Sequence, residues 1–290
     1  MEVLRADEVE AIDCHVHIPD ERPGRATPER LKFQARYFQN EGDRPTTVEG
    51  LAADYRGRKM RAVLLNVTDA TVSGEVGLPN DAVAEAVDRY PDVFSGFCVI
   101  DPWQGKLAEK EVRRSKEMGL VGIGELNPAR QHFYPNDRRF YPIWQTASDL
   151  GMPVLFHTGM AGAGAGAPGG LGIKLKYAQP LLLDEVAADF PELRIIAAHP
   201  SWPWQAESLA MARHKGNVFL DLSGWAPKYW SDELVRYVNS VLPDKAMFGS
   251  DTIRVDRWLA EFEALPMKPE VREKILRTNA MKFFELGVGR

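Results

Sequence analysis

Ala11-Ile12-Asp13-Cys14-His15-Val16-His17-Ile18 is a short apolar run that closes on two histidines one residue apart. Side chains of an extended chain alternate faces, so His15 and His17 are expected on one face and Cys14 and Val16 on the other. Seven more runs of this kind follow, at 61–67, 93–100, 120–126, 153–158, 193–199, 217–222 and 246–250. Each of the eight precedes a segment with helix signals. Thr46 with Glu49 predicts a capping box ahead of Leu51-Ala52-Ala53, and Thr27-Pro28 reads as an N-cap and first helical residue. Arg89-Tyr90-Pro91-Asp92-Val93 and Asp189-Phe190-Pro191-Glu192-Leu193 are near copies, in which proline stops a helix just before the next strand. Such alternation makes a parallel sheet, and eight units in about 250 residues suit a closed (β/α)8 barrel, the TIM-barrel form of the α/β class. The rival, an open doubly wound sheet, usually carries a glycine-rich phosphate turn after its first strand, and none follows Ile18.

The 290 residues read as one domain, 1–290, with an Arg-rich insertion at 19–45 after strand one. The low-complexity run Ala161-Gly162-Ala163-Gly164-Ala165-Gly166-Ala167-Pro168-Gly169-Gly170 brushes against a dinucleotide fingerprint, but no helix begins where that motif needs one. A flexible loop is the expectation there. Hydrophobic residues at 44% and charged residues at 27% give an ordinary globular balance, which sets disorder aside. A net charge of -5 argues against general nucleic-acid binding. No apolar run is long enough to span a membrane, and residues 1–8 lack the apolar core of a signal peptide. Two cysteines, Cys14 and Cys98, exclude a disulfide framework and fit reduced thiols in the cytoplasm. The partner expected is a small molecule. Oligomeric state stays open, a homo-oligomer among the alternatives.

Barrel enzymes place their sites at the carboxyl ends of the strands. His15 and His17 close strand one, His157 ends strand five, His199 ends strand six and Asp251 follows strand eight. Imidazole and carboxylate suit Zn2+ and related divalent ions, so five such groups at one rim read as a metal site. One strand-end histidine alone would more often be a hydrogen-bonded structural residue; the conjunction is what carries the reading. His132 and His214 stay in the structural class, and Asp13 reads as a deeper hydrogen-bonding group on the face of His15. Trp202, Trp204, Trp225, Tyr229 and Trp230 in the loops after strands six and seven suggest an aromatic wall, equally readable as loop packing. Lys174, Lys176, Lys228, Arg254 and Arg257 are candidates to meet an anion, although solvated charge is the default for each. Trp202, Trp225, Lys174 and Arg254 are the substrate-binding expectations.

Ile12-Asp13-Cys14-His15-Val16-His17, Val154-Leu155-Phe156-His157-Thr158-Gly159, Ala198-His199-Pro200-Ser201-Trp202-Pro203-Trp204 and Phe248-Gly249-Ser250-Asp251 together resemble the amidohydrolase superfamily, in its amidohydrolase-2 branch. Asn217-Val218-Phe219-Leu220-Asp221-Leu222-Ser223-Gly224 is similar to the branch as well. The resemblance implies metal ligation by His15, His17 and His157. It implies a proton-donating, substrate-polarising or second-metal role for His199, and for Asp251 both metal contact and proton transfer. Strand four departs from the common Lys-Leu-His-Pro pattern. Its Gly122-Ile123-Gly124-Glu125 is similar to TatD-like hydrolases, in which a strand-four glutamate binds metal, and it excludes a carboxylated lysine at that position. Glu125 is thus read as a ligand, with a carboxylate hydrogen-bonding a ligand imidazole as the rival reading.

The expectation is a hydrolase with one or two divalent ions, Zn2+ first and Mn2+ second. Metal-activated water, its pKa lowered to about 7, would attack a carbonyl while Asp251 moves the proton and His199 stabilises the oxyanion. The substrate would be an aryl-bearing anionic ester, lactone, thioester or β-ketoacyl compound. Rivals are a non-oxidative decarboxylase of an aromatic or muconate-type acid, a hydratase, and a non-catalytic metal-binding module. The anionic charge of Glu125 near the metal counts against the decarboxylase.

Overall fold

The computed structural model describes residues 3–22, 37, 45–74 and 76–286. Eight strands form, β1 (Ala11–His17), β2 (Met60–Leu65), β3 (Phe94–Cys98), β4 (Gly122–Leu126), β5 (Val154–His157), β6 (Ile195–Ala198), β7 (Val218–Asp221) and β8 (Ala246–Met247). They pair in sequence order and always in parallel. Phe248 C=O accepts from Cys14 N–H at 2.9 Å, and His15 C=O accepts from Asp251 N–H at 2.8 Å, which joins the last strand to the first. The result is the (β/α)8 barrel.

Each strand leads into a helix: α1 (Val48–Gly57), α2 (Asn80–Arg89), α3 (Lys106–Glu117), α4 (Tyr141–Asp149), α5 (Asp184–Asp189), α6 (Gln205–His214), α7 (Asp232–Val238) and α8 (Val255–Glu263). Helices α2 and α5 stop at Arg89 and Asp189, two residues before Pro91 and Pro191, because a proline ring cannot continue the helix. At α1 the cap lies one residue later than the sequence suggests. Thr47, not Thr46, accepts from Gly50 N–H at 3.0 Å, so Glu49 sits one position short of a capping box. The Thr27-Pro28 helix start lies outside the described residues.

Alternation sorts each strand between two apolar layers. Leu64, Val154, Phe156 and Ala197 pack outward with Val83, Trp144 and Leu209 of the helices. Val63, Leu65, Leu155, Ile196 and Met247 point inward and fill the barrel with Val9, Ala280 and Phe283. The interior is a packed core rather than a pore.

Strands β1 and β4 break the alternation. Asp13 pairs with Ala62 and Val16 with Leu64, so three steps on β1 match two on β2. Ile123 pairs with Val154 and Leu126 with Phe156, a second three-against-two mismatch. These are β-bulges, which re-aim side chains. In β1 the bulge reverses part of the expected facing: Cys14 joins the interior cluster, whereas Asp13 turns to the helix side and accepts from Tyr55 O–H at 2.7 Å. Val16 packs against the helices, as alternation predicts.

Candidate metal centre

His15 and His17 of β1, Glu125 of β4, His157 of β5, and His199 and Asp251 just beyond β6 and β8 converge at the C-terminal mouth. Glu125 is the hub. Its Oε1 accepts from His157 Nδ1–H at 2.7 Å and lies 3.4 Å from His199 Nε2, and its Oε2 lies 3.5 Å from His17 Nε2 and 3.8 Å from His15 Nε2. Asp251 Oδ1 is 3.2 Å from His17 Nε2 and 3.9 Å from His15 Nε2. His199 and Asp251 have left-handed backbones, with φ of 72° and 51°, a conformation costing about 1–3 kcal/mol outside glycine. Gly224 makes room beside them: a Cβ there would come within 2.6 Å of His199 Nδ1.

The arrangement fits a divalent cation. His15 Nε2 and His157 Nε2 are buried and have no hydrogen-bond partner, an arrangement that proteins otherwise avoid. Ligand atoms about 2.0–2.2 Å from one ion stand roughly 3–4 Å from each other. The triads His15/His17/Glu125, His15/His199/Asp251 and Glu125/His157/His199 each offer atoms within 4.8 Å of one another. With nitrogen and oxygen donors and no thiolate, the set suits zinc or manganese.

Burial pushes the Glu125 carboxyl up, but hydrogen bonds from His15, His157 and His199 outweigh it and hold the group well below the usual carboxylate range. Asp251 is likewise lowered, burial being outweighed by the His17 hydrogen bond and the charges of the neighbouring imidazoles. Both carboxylates are ionised. Desolvation lowers His157, whereas Glu125 raises His199 and Asp221 raises His15 above the ordinary histidine value in spite of their burial. Asp13, which accepts from Tyr55, His15 N–H and Ser250 N–H, is raised to about 6 by burial and serves to tie β1 to the turn after β8.

Above the centre lies a cavity of about 280 Å3 lined by His157, His199, Asp251, Trp225, Tyr229 and Arg257, among others. Trp202 is half exposed and packs its ring 5.8 Å from that of Trp225. Trp230 belongs instead to the core, against Trp258 and Phe262. Arg254 lines a neighbouring cavity of about 200 Å3, lined also by His17 and sharing Asp251 with the first. Lys174 lines neither cavity; it is exposed, and its N–H donates to Ala129 C=O at 3.0 Å. Gly162, in the glycine–alanine run, reaches the first cavity. Two polar residues that the sequence does not single out complete the centre. Asp221 Oδ2 accepts from His15 Nδ1–H at 2.7 Å, and Ser223 Oγ lies 3.0 Å from His199 Nδ1. Their signal was available, since Asp221 ends β7 where the other site residues end their own strands.

Histidines and carboxylates gathered at the C-terminal rim of a parallel barrel define a barrel protein with a candidate metal centre. The chain belongs to the amidohydrolase family (amidohydrolase-2 branch), whose model matches residues 12–286. A 98-residue segment is 30% identical to gamma-resorcylate decarboxylase of Polaromonas sp., spanning 31% of this chain and 30% of that relative. The fold is similar to an uncharacterized TIM-barrel protein from Bordetella bronchiseptica, with 23% identity, a TM-score of 0.76 and coverage of 95% of this chain and 98% of the other. It is also similar to a 5-carboxyvanillate decarboxylase mutant from Novosphingobium aromaticivorans with bound manganese and 3-methoxy-4-hydroxy-5-nitrobenzoic acid (18%, 0.62, 99% and 100%). A probable 2-pyrone-4,6-dicarboxylic acid hydrolase from Acinetobacter baumannii gives 16% identity, a TM-score of 0.64 and coverage of 96% and 100%.

Proposed function

We propose that this protein, as one domain, is a metal-dependent non-oxidative decarboxylase of a single-ring hydroxylated aromatic acid. One observation carries the reading over hydrolysis. Glu125, whose charge would repel a bound carboxylate, is 5% exposed, is engaged by imidazoles and does not line the cavity, whereas His199 does. Its charge is matched by the surrounding imidazoles and kept off the cavity wall, which weakens the objection it raised. What lines the cavity beside Trp225 is the His199 imidazole, which Glu125 raises above the ordinary histidine value in spite of burial, a group of the kind needed to protonate a ring carbon. At about 280 Å3 the volume lies just below the usual small-ligand range of about 300–1,000 Å3, which suits one ring better than a long acyl thioester. Similarity to resorcylate and carboxyvanillate decarboxylases supports the same choice.

His15, His17, Glu125, His157 and Asp251 would hold the ion, zinc or manganese, which supplies positive charge for the substrate's carboxylate and phenolic oxygens. Trp225, with Trp202 tilted against it, and Tyr229 orient the ring and exclude water. His199 delivers its Nε2 proton to the ring carbon that bears the carboxylate, and the phenolic oxygen takes up the developing positive charge. The carbon–carbon bond then breaks, its electron pair restores the ring, and carbon dioxide leaves. A proton from solvent water, relayed through the Asp251 carboxylate, returns to His199 Nε2 for the next turnover. In this scheme Lys174 and Arg254 serve at most to attract an anionic substrate from outside the ring pocket.

Hydrolysis remains the second reading, because the same ligands suit activation of water and one structural neighbour is a probable pyrone-dicarboxylate hydrolase. Turnover of 2,6-dihydroxybenzoate and related acids in deuterated, 18O-enriched water separates the two. Decarboxylation yields carbon dioxide and one solvent deuterium on the product ring. Uptake of 18O into a product carboxylate from a lactone or ester, with no carbon dioxide from any aromatic acid, overturns the proposal.

A further inference from the structure

Asp221 is fully buried at the end of β7, outside the set of direct ligand candidates. Its Oδ2 takes two donors, His15 Nδ1–H at 2.7 Å and Ser223 O–H at 2.9 Å, while its Oδ1 accepts from Ser223 N–H at 3.0 Å. An ionised carboxylate can only accept, so the Ser223 hydroxyl must spend its proton on Asp221. Its lone pair then faces His199 Nδ1 at 3.0 Å, and Ser223 C=O, a pure acceptor, lies 3.2 Å from the same nitrogen. Two acceptors around one ring nitrogen require that nitrogen to carry hydrogen. The chain has made room for this arrangement. A Cβ at Gly249 would stand 2.3 Å from Asp221 Oδ1 and 3.0 Å from His15 Cβ, and one at Gly224 would meet His199 Nδ1.

We infer that Asp221 and Ser223 form a buried relay that locks both His15 and His199 as Nδ1–H imidazoles, so that Nε2 is the working nitrogen of each ring. On His15 that nitrogen is the partnerless one aimed at Glu125 and Asp251, available as a ligand lone pair. On His199 it is the nitrogen 3.0 Å from His157 Nδ1 and 3.4 Å from Glu125, in a ring that lines the cavity, and under the decarboxylase reading it is the one that delivers the proton. A single carboxylate thus sets the orientation of a ligand and of a proton donor together. Asp221 and Ser223 are positioning residues. Their assignment to catalysis rests on the decarboxylase reading, but the locked ring nitrogens do not.

Proton and nitrogen NMR of the 15N-histidine-labelled protein tests the lock directly. Both rings should show an Nδ1–H resonance that exchanges slowly with water, whichever state Nε2 adopts. An unprotonated Nδ1 on either ring overturns the inference, whether or not any aromatic acid is turned over. Asp221→Asn, which can present an amide N–H to His15, should lose the His15 Nδ1–H signal and weaken Mn2+ or Zn2+ binding by about 10–100-fold in calorimetry. Ser223→Ala is the milder variant and keeps the backbone acceptor. It should shift the His199 signal, leave metal affinity and KM near wild type and lower kcat by roughly tenfold, with Ser223→Thr restoring it. Unchanged ring signals and metal affinity in both variants would show that the relay only packs the core.

Discussion

The two ends of the barrel interior are built on opposite principles. At the closed end Val63, Leu65, Leu155, Ile196 and Met247 meet Val9, Ala280 and Phe283 as a plug of apolar side chains. A few residues along the same strands, the mouth holds four imidazoles and two carboxylates, with two buried ring nitrogens lacking a partner. The plug gains stability from every side chain, at about 1.5–3 kcal/mol for each fully buried aliphatic. The mouth concentrates desolvated imidazoles and carboxylates in an arrangement that fits a cation among them. Stability resides at one end and chemistry at the other, joined by strands only two to seven residues long.

Substitutions can break that division. The largest effect is expected from His15→Ala combined with His17→Ala, which removes two ligands at once and should abolish binding of divalent metal. Elemental analysis checks it, and thermal stability of the metal-free variant should stay close to that of the metal-free parent. His199→Gln should retain metal yet cut turnover by about 10²–10⁴-fold, the scale of a lost general acid. At the other end Leu155→Ala should cost about 2–5 kcal/mol in denaturant unfolding while leaving metal affinity unchanged. Loss of metal from the Leu155 variant under native conditions would show that the two ends are not separable.

The smallest effect concerns neither end, and calibrates both. Arg56 clamps Asp92 through two hydrogen bonds of 2.8 Å, and Asp92 also accepts from Leu4 N–H at 3.0 Å. Hydrogen bonding to Arg56 holds Asp92 below the usual aspartate range. Its folded value lies below the unfolded one, so its stabilisation is complete above the unfolded value, about 4, and vanishes as pH falls through the folded value. Asp92→Asn should cost about 1–3 kcal/mol at neutral pH, and its unfolding midpoint should converge on the parent's as the pH falls below about 4.

The barrel was legible because eight apolar runs at regular spacing and two proline-terminated helices are local signals. His157 follows Leu155 on a regular strand, so period-two reading places it correctly. Cys14 and Asp13 defeat that reading, since a bulge adds a residue that no composition rule marks: Cys14 joins the interior and Asp13 ends on the helix side, while His15 and His17 still share the mouth. Glu125 was legible as a strand-four acid, but its central place among the imidazoles depends on the bulge beyond Ile123. Asp221 and Ser223 carried the strand-end signal yet were indistinguishable from ordinary polar residues until β7 brought them beside His15 and His199. The hydrolase expectation leaned on the anionic charge of Glu125 near the metal; that this carboxylate is buried among imidazoles and off the cavity lining is a tertiary property that the strand pattern cannot show.

The most direct test of the metal-centred account is anomalous scattering from crystals grown with manganese and soaked with an aromatic hydroxy acid. An anomalous peak should fall among His15 Nε2, His17 Nε2 and a Glu125 oxygen, with the acid in the cavity against Trp225 and its carboxylate-bearing carbon facing His199 Nε2. A mouth without an anomalous peak in manganese-saturated crystals, the same imidazoles bonded only to one another and to Glu125, would contradict it.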